Sequence, residues 1–96
     1  MLQDELMLMI AEFLHGKQSA EQFSFAFPAR LAYVYSDLEQ ENPEFAQLME
    51  EDMPELCASF DPHGTSDPDT IDEKTFRAKV TSIYVSALNQ RLRKTS

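Results

Sequence analysis

From Leu31 to Glu73 the chain has no lysine and no arginine, while the same stretch holds thirteen carboxylates. Carboxylates crowded in this way repel one another, and without cations to offset them they are a poor source of stability. Such a surface is suited to meeting something basic. Other shortages narrow the class. The single cysteine, Cys57, excludes an internal disulfide, and with only His15 and His63 as further donors the chain lacks the makings of a usual zinc site. Neither histidine is near Cys57 in sequence, so Cys57 reads as a buried apolar filler and not as a nucleophile. No apolar run approaches the roughly 18–20 residues that span a bilayer. Residues 1–14 lack the basic start and cleavage site of a signal peptide, and a cytoplasmic protein is expected.

What is present is enough for one modest core. The chain has 96 residues, 43% of them hydrophobic and seven of them phenylalanine, which implies a single domain over residues 1–96. The net charge of −9 is unevenly spread: residues 1–30 carry four acids and two bases, and residues 74–96 carry six bases and no acid. The acidic middle argues against direct contact there with nucleic acid or with an anionic membrane surface. At the C-terminus, Arg91, Arg93 and Lys94 sit where the last turn of a helix favours cations.

Hydrophobic spacing predicts helices almost throughout. Leu2, Leu6, Met9, Ile10, Phe13 and Leu14 follow an i, i+3, i+4 rule, with Asp4 and Glu5 in the first turn and Gly16 placed to close the helix in a left-handed conformation. Ser19 with Gln22 makes a capping box for a second helix, whose buried stripe is Ala20, Phe23, Ala26, Phe27, Leu31 and Val34. Pro28 falls inside that stripe, predicting a kink near Ser24 and Phe25 or a restart at Phe27.

A third helical region opens at Asn42-Pro43, a cap followed by proline at the first helical position. Its expected core face is Phe45, Leu48, Met49, Leu56 and Phe60, a phase that would aim Asp52 at the core. A break resolves the conflict: Asp52 with Glu55 reads as another capping box, with Pro54 in its first turn, giving two short helices or one kinked helix. Glu44, Glu51 and Glu55 then share an exposed side. Residues 60–72, with two prolines, a glycine and several aspartates, read as a loop. The last helix starts at Asp72, stapled by Ile71 and Phe76, and its stripe is Phe76, Val80, Ile83, Ala87, Leu88 and Leu92. The fold class is all-α, a single-domain antiparallel four-helix bundle with kinked second and third helices.

Two site chemistries are disfavoured. Asp61, His63, Thr65, Asp67, Asp69 and Asp72 crowd one loop, but an EF-hand counted from Asp61 needs glycine at its sixth place and glutamate at its twelfth, where Ser66 and Asp72 stand. Catalysis by paired carboxylates would need a cleft that a glycine-poor bundle does not announce. No cofactor, metal or enzymatic role is expected. The acids could still be an ordinary solvated face, but forty-three residues without a cation argue against it.

The order of the motifs resembles the immunity proteins of colicin D and of similar toxins delivered by contact-dependent growth inhibition. Phe13-Leu14-His15-Gly16-Lys17-Gln18-Ser19-Ala20-Glu21-Gln22-Phe23-Ser24 looks like that family's apolar pair, lysine, Ser/Thr-Ala cap and phenylalanine. Phe60-Asp61-Pro62 looks like its Phe-acid-Pro, followed by an Asp-rich loop leading through Ile71-Asp72 into a final amphipathic helix. The loop after Phe60 is longer than in colicin D immunity protein, and Ala58, Ser59 and His63 stand near where acidic contacts would be expected. The resemblance implies a small acidic bundle that binds a cognate basic nuclease toxin domain, typically a tRNA-cleaving one, and blocks its active site with carboxylates where the RNA backbone would lie.

Only Asp61 carries over from a matching motif. Charge and exposure add Glu51, Glu55, Asp67 and Asp69, which with Asp61 could form one patch, and Tyr35 joins them as an aromatic anchor of the kind that hot spots favour, ahead of Tyr33 and Tyr84. The alternative reading is an acidic adaptor, or a nucleic-acid-mimicking regulator, of some other basic protein.

Overall fold

Four α-helices follow one another: α1 (Leu2–Leu14), α2 (Ala20–Glu41), α3 (Pro43–Ser59) and α4 (Glu73–Thr95). The structure, a computed structural model, describes residues 1–61 and 70–95, with side chains as far as residue 90. Each helix packs on its neighbours in sequence, and α4 closes back on α1. The contacts fix the directions. The start of α1 meets the end of α2 where Glu41 receives the Leu2 and Gln3 N–H groups at 3.2 and 3.0 Å. Phe13, late in α1, and Phe60, just after α3, both lie against Phe76 at the start of α4. Neighbouring helices are therefore antiparallel, and the all-α four-helix bundle expected from the sequence is the fold.

The helix ends are set locally by the predicted residues. Gly16 takes φ +81° after α1, and Ser19 Oγ accepts the Gln22 N–H at 3.1 Å to start α2. Asn42 is the whole joint between α2 and α3: its Oδ1 accepts the Phe45 N–H at 3.2 Å, its Nδ2 donates to Gln3 at 3.0 Å, and the residue is buried. Asp72 accepts the Thr75 N–H at 2.8 Å as the cap of α4.

The core is built around phenylalanine. Phe13, Phe23, Phe27, Phe45 and Phe76 are fully buried, with Leu6, Ile10, Leu38, Met49, Met53 and Val80 filling the length of the bundle. At one end Phe13 stacks on Phe23 and Phe60 stacks on Phe76. Arg77 lies over the Phe13 ring at 4.5 Å and donates to the Phe13 carbonyl, one of the last carbonyls of α1.

Of the alternatives expected at Pro28 and Pro54, those with separate helices are corrected: each proline lies inside one unbroken helix, so α2 does not restart at Phe27 and α3 is not two helices. Asp52 is not a cap; it is exposed in the helix interior, because the buried stripe of α3 runs through Ala46, Met53 and Cys57 instead of Leu48 and never requires Asp52 to face inward. On α4, Leu88 is exposed beside the buried Ala87, and the side chain of Leu92 lies outside the described residues. No helix among the described residues is long and apolar enough to cross a membrane.

Candidate partner-binding surface

The carboxylates of the basic-free stretch divide by what they touch. Glu41 serves the start of α1, Asp72 serves the start of α4, and Glu73 pairs with Arg77 one turn along. The Thr75 hydrogen bond also holds the Asp72 carboxyl below its usual range. Glu50 receives the Tyr35 hydroxyl at 2.8 Å across the α2–α3 seam. That bond, together with some desolvation and the nearby Glu39 charge, pushes the Tyr35 phenol up to about 12.

A second group has no such duty. Asp37 on α2 and Glu44, Glu51, Asp52 and Glu55 on α3 are all exposed, and among the described residues none of them pairs with a lysine or arginine. Glu44, Glu51 and Glu55 share the outward face of α3, as their spacing of seven and four residues requires. Asp52 and Glu55 turn toward α4 and, with Leu56, Ser59, Lys79 and Ser82, line an open groove of about 420 Å³. Lys79 brings a cation of α4 to this groove. The exposed side of α3 therefore carries five carboxylates, Glu44, Glu50, Glu51, Asp52 and Glu55, and no cation.

The expected residues are distributed as follows. Glu51 and Glu55 are together on α3. Asp61 follows the helix directly; it is half-buried and its N–H donates to the Ile71 carbonyl at 3.3 Å, so it sits where the two ends of the α3–α4 connection meet. Asp67 and Asp69, like the calcium-loop positions His63 and Thr65, lie outside the described residues. Tyr35 is half-buried and packs against the core with its hydroxyl engaged by Glu50, so it belongs to the bundle more than to its surface. Tyr33, two residues earlier, is 83% exposed. Asp52 was expected as a helix cap and not as a member of the patch, and its place was legible in the sequence: Met53 continues the four-residue spacing from Phe45 and Met49, which places Asp52 off the stripe.

Among the described residues no three His, Cys, Asp or Glu come together in a group that could hold a metal ion. Cys57 is buried, as expected, and burial pushes its thiol up to about 12. No family model, curated protein or solved structure matches the chain.

Proposed function

We propose that this chain is an immunity protein, which neutralises a cognate nuclease toxin, typically a tRNA-cleaving one, by occupying its active-site cleft with carboxylates. The toxin would belong to the colicin or contact-delivered classes named by the resemblance of the motif order. The observation that carries the reading is the exposed face of α3, where Glu44, Glu51, Asp52 and Glu55 stand without a cationic partner among the described residues. A cleft that holds phosphates must be cationic, so a rigid row of carboxylates is attracted to it and cannot be cleaved there. The protein needs no catalytic group for this, and it acts in the cytoplasm, where the toxin meets tRNA.

The anionic row is costly to the isolated protein and profitable only in a complex. Like charges on one helix face destabilise it, whereas each cation they meet in a cleft is one that would otherwise bind phosphate. Inhibition of tRNA cleavage is the test. Added at equimolar concentration to the nuclease domain that an immunity gene is expected to have encoded beside it, the chain should abolish cleavage. A chain that binds a basic host protein but leaves every such nuclease active is the acidic adaptor of the alternative reading.

A further inference from the structure

The outer side of α2 differs from the rest of the surface. Between residues 22 and 36 the only charged side chain is Arg30, and Arg30 is spent on Glu5, which it meets with two nitrogens at 2.9 to 3.3 Å. Phe25 is 70% exposed and Tyr33 is 83% exposed, with the exposed Ala29 midway between them. These three positions are spaced by four and so form one ridge on the helix surface. The same ridge continues by four residues in each direction to exposed carboxylates, Glu21 before Phe25 and Asp37 after Tyr33. Arg30 also lies over the Tyr33 ring, 5.7 Å from its centroid, which steadies the ring in place.

We infer that this ridge, Glu21-Phe25-Ala29-Tyr33-Asp37, is the aromatic anchor by which the chain docks on its basic protein partner, in an apolar slot bordered by cations. The inference rests on the proposed function and locates the energetic centre of that interface. Carboxylates alone give encounter and register, since buried charge pairs often no more than offset their desolvation. Affinity comes from a few aromatic side chains enclosed by near-neutral contacts, and Phe25 and Tyr33 are the two large aromatic rings this surface leaves to solvent among the described residues. α2, which carries the ridge, packs directly on α3, the carboxylate helix.

Charge and area select the occupant. A second copy laid antiparallel on the ridge would bring Glu21 against Asp37 at both ends, and the chains already repel with a net charge of −9 each. The two rings expose roughly 300 Å² of apolar surface, well short of the roughly 800 Å² per partner of a stable interface. The remainder must come from the charged surroundings, which only a cationic partner can match.

The test uses the full chain and the catalytically inactivated nuclease domain encoded beside its gene. Phe25→Ala with Tyr33→Ala should weaken binding about 30-fold or more, chiefly through faster dissociation, while melting temperature and salt dependence of association stay those of the wild type. Ala29→Glu, which removes no contact within the bundle, should weaken it comparably by placing a charge at the centre of the ridge. If the wild type binds and both variants bind equally well, the ridge is not the anchor and the proposed function stands. If the wild type does not bind the nuclease domain, the proposed function fails and this inference falls with it. A concentration-dependent dimer of the free chain that both variants abolish would assign the ridge to a second copy and overturn the inference.

Discussion

Phe13, in the last turn of α1, stacks face to face on Phe23, in the first turn of α2, with ring centroids 4.4 Å apart and planes inclined by 10°. Phe76 closes on both rings, at 5.5 and 6.1 Å, and itself stacks on Phe60 at 4.7 Å. Four helices thus share one aromatic knot at a single end of the bundle. Phe13, Phe23 and Phe60 are also aromatic residues of the motifs that carry the resemblance stated above. Each stands near a helix end, and all three rings meet in this knot.

Phe76 is the ring common to most of these contacts and is fully buried. Phe76→Ala should therefore cost about 3–5 kcal/mol, the usual range for emptying a packed aromatic site. Urea denaturation followed by far-ultraviolet circular dichroism measures it; a loss below about 1 kcal/mol would mean that the knot does not hold the bundle together.

The Tyr35–Glu50 bond has a spectroscopic consequence. The folded chain holds the Tyr35 proton more tightly than an ordinary tyrosine, at about 12 against 10.0. Its contribution is complete below pH 10 and is lost as pH rises through about 12. Absorbance at the tyrosinate band should show a late phase near pH 12, and Tyr35→Phe should remove it. Glu50→Gln should move it back toward the ordinary value; a late phase that survives both changes belongs to another residue.

Cys57 should be nearly inert in the native protein. A thiol raised to about 12 by burial has almost no thiolate at neutral pH. Disulfide reagents should modify it only as fast as the bundle opens, and at once in denaturant. Rapid labelling of the native chain would contradict its place in the core.

Electrostatic encounter predicts a strong effect of salt. The association rate with the nuclease domain should fall by at least tenfold between about 0.05 and 0.5 M salt, as the Debye length shrinks severalfold, while dissociation changes little. Stopped-flow rates that stay flat would reject steering by the acidic face.

The fold was legible where the chain speaks locally. Ser19, Asn42 and Asp72 announce helix starts because a short side-chain acceptor needs only the next few N–H groups, and Gly16 announces a stop because it tolerates a positive φ. The phase of α3 was not, since choosing Leu48 for the core turned the whole stripe and made Asp52 look like a break. Contacts distant in sequence left no trace either. Nothing near Glu41 indicates that it caps α1, and Arg30 gives no sign of its pairing with Glu5. The surface was harder still: Tyr33 and Tyr35 are two residues apart, a swing of about 200° on a helix, and choosing between them requires knowing which way α2 faces. Phe25 could have been read as exposed, because it falls between the buried Phe23 and Phe27.

The central claim, that the carboxylate face of α3 fills the nuclease cleft, is tested most directly by protection of cells expressing the toxin domain. A variant with Glu44, Glu51 and Glu55 changed to Gln and Asp52 to Asn should fold, since exposed changes usually cost within about 0.5 kcal/mol, yet fail to protect. A control with Glu12→Gln on α1 should protect as well as the wild type. Full protection by the α3 variant, with its folding verified, would place the blocking surface elsewhere on the bundle and contradict the account.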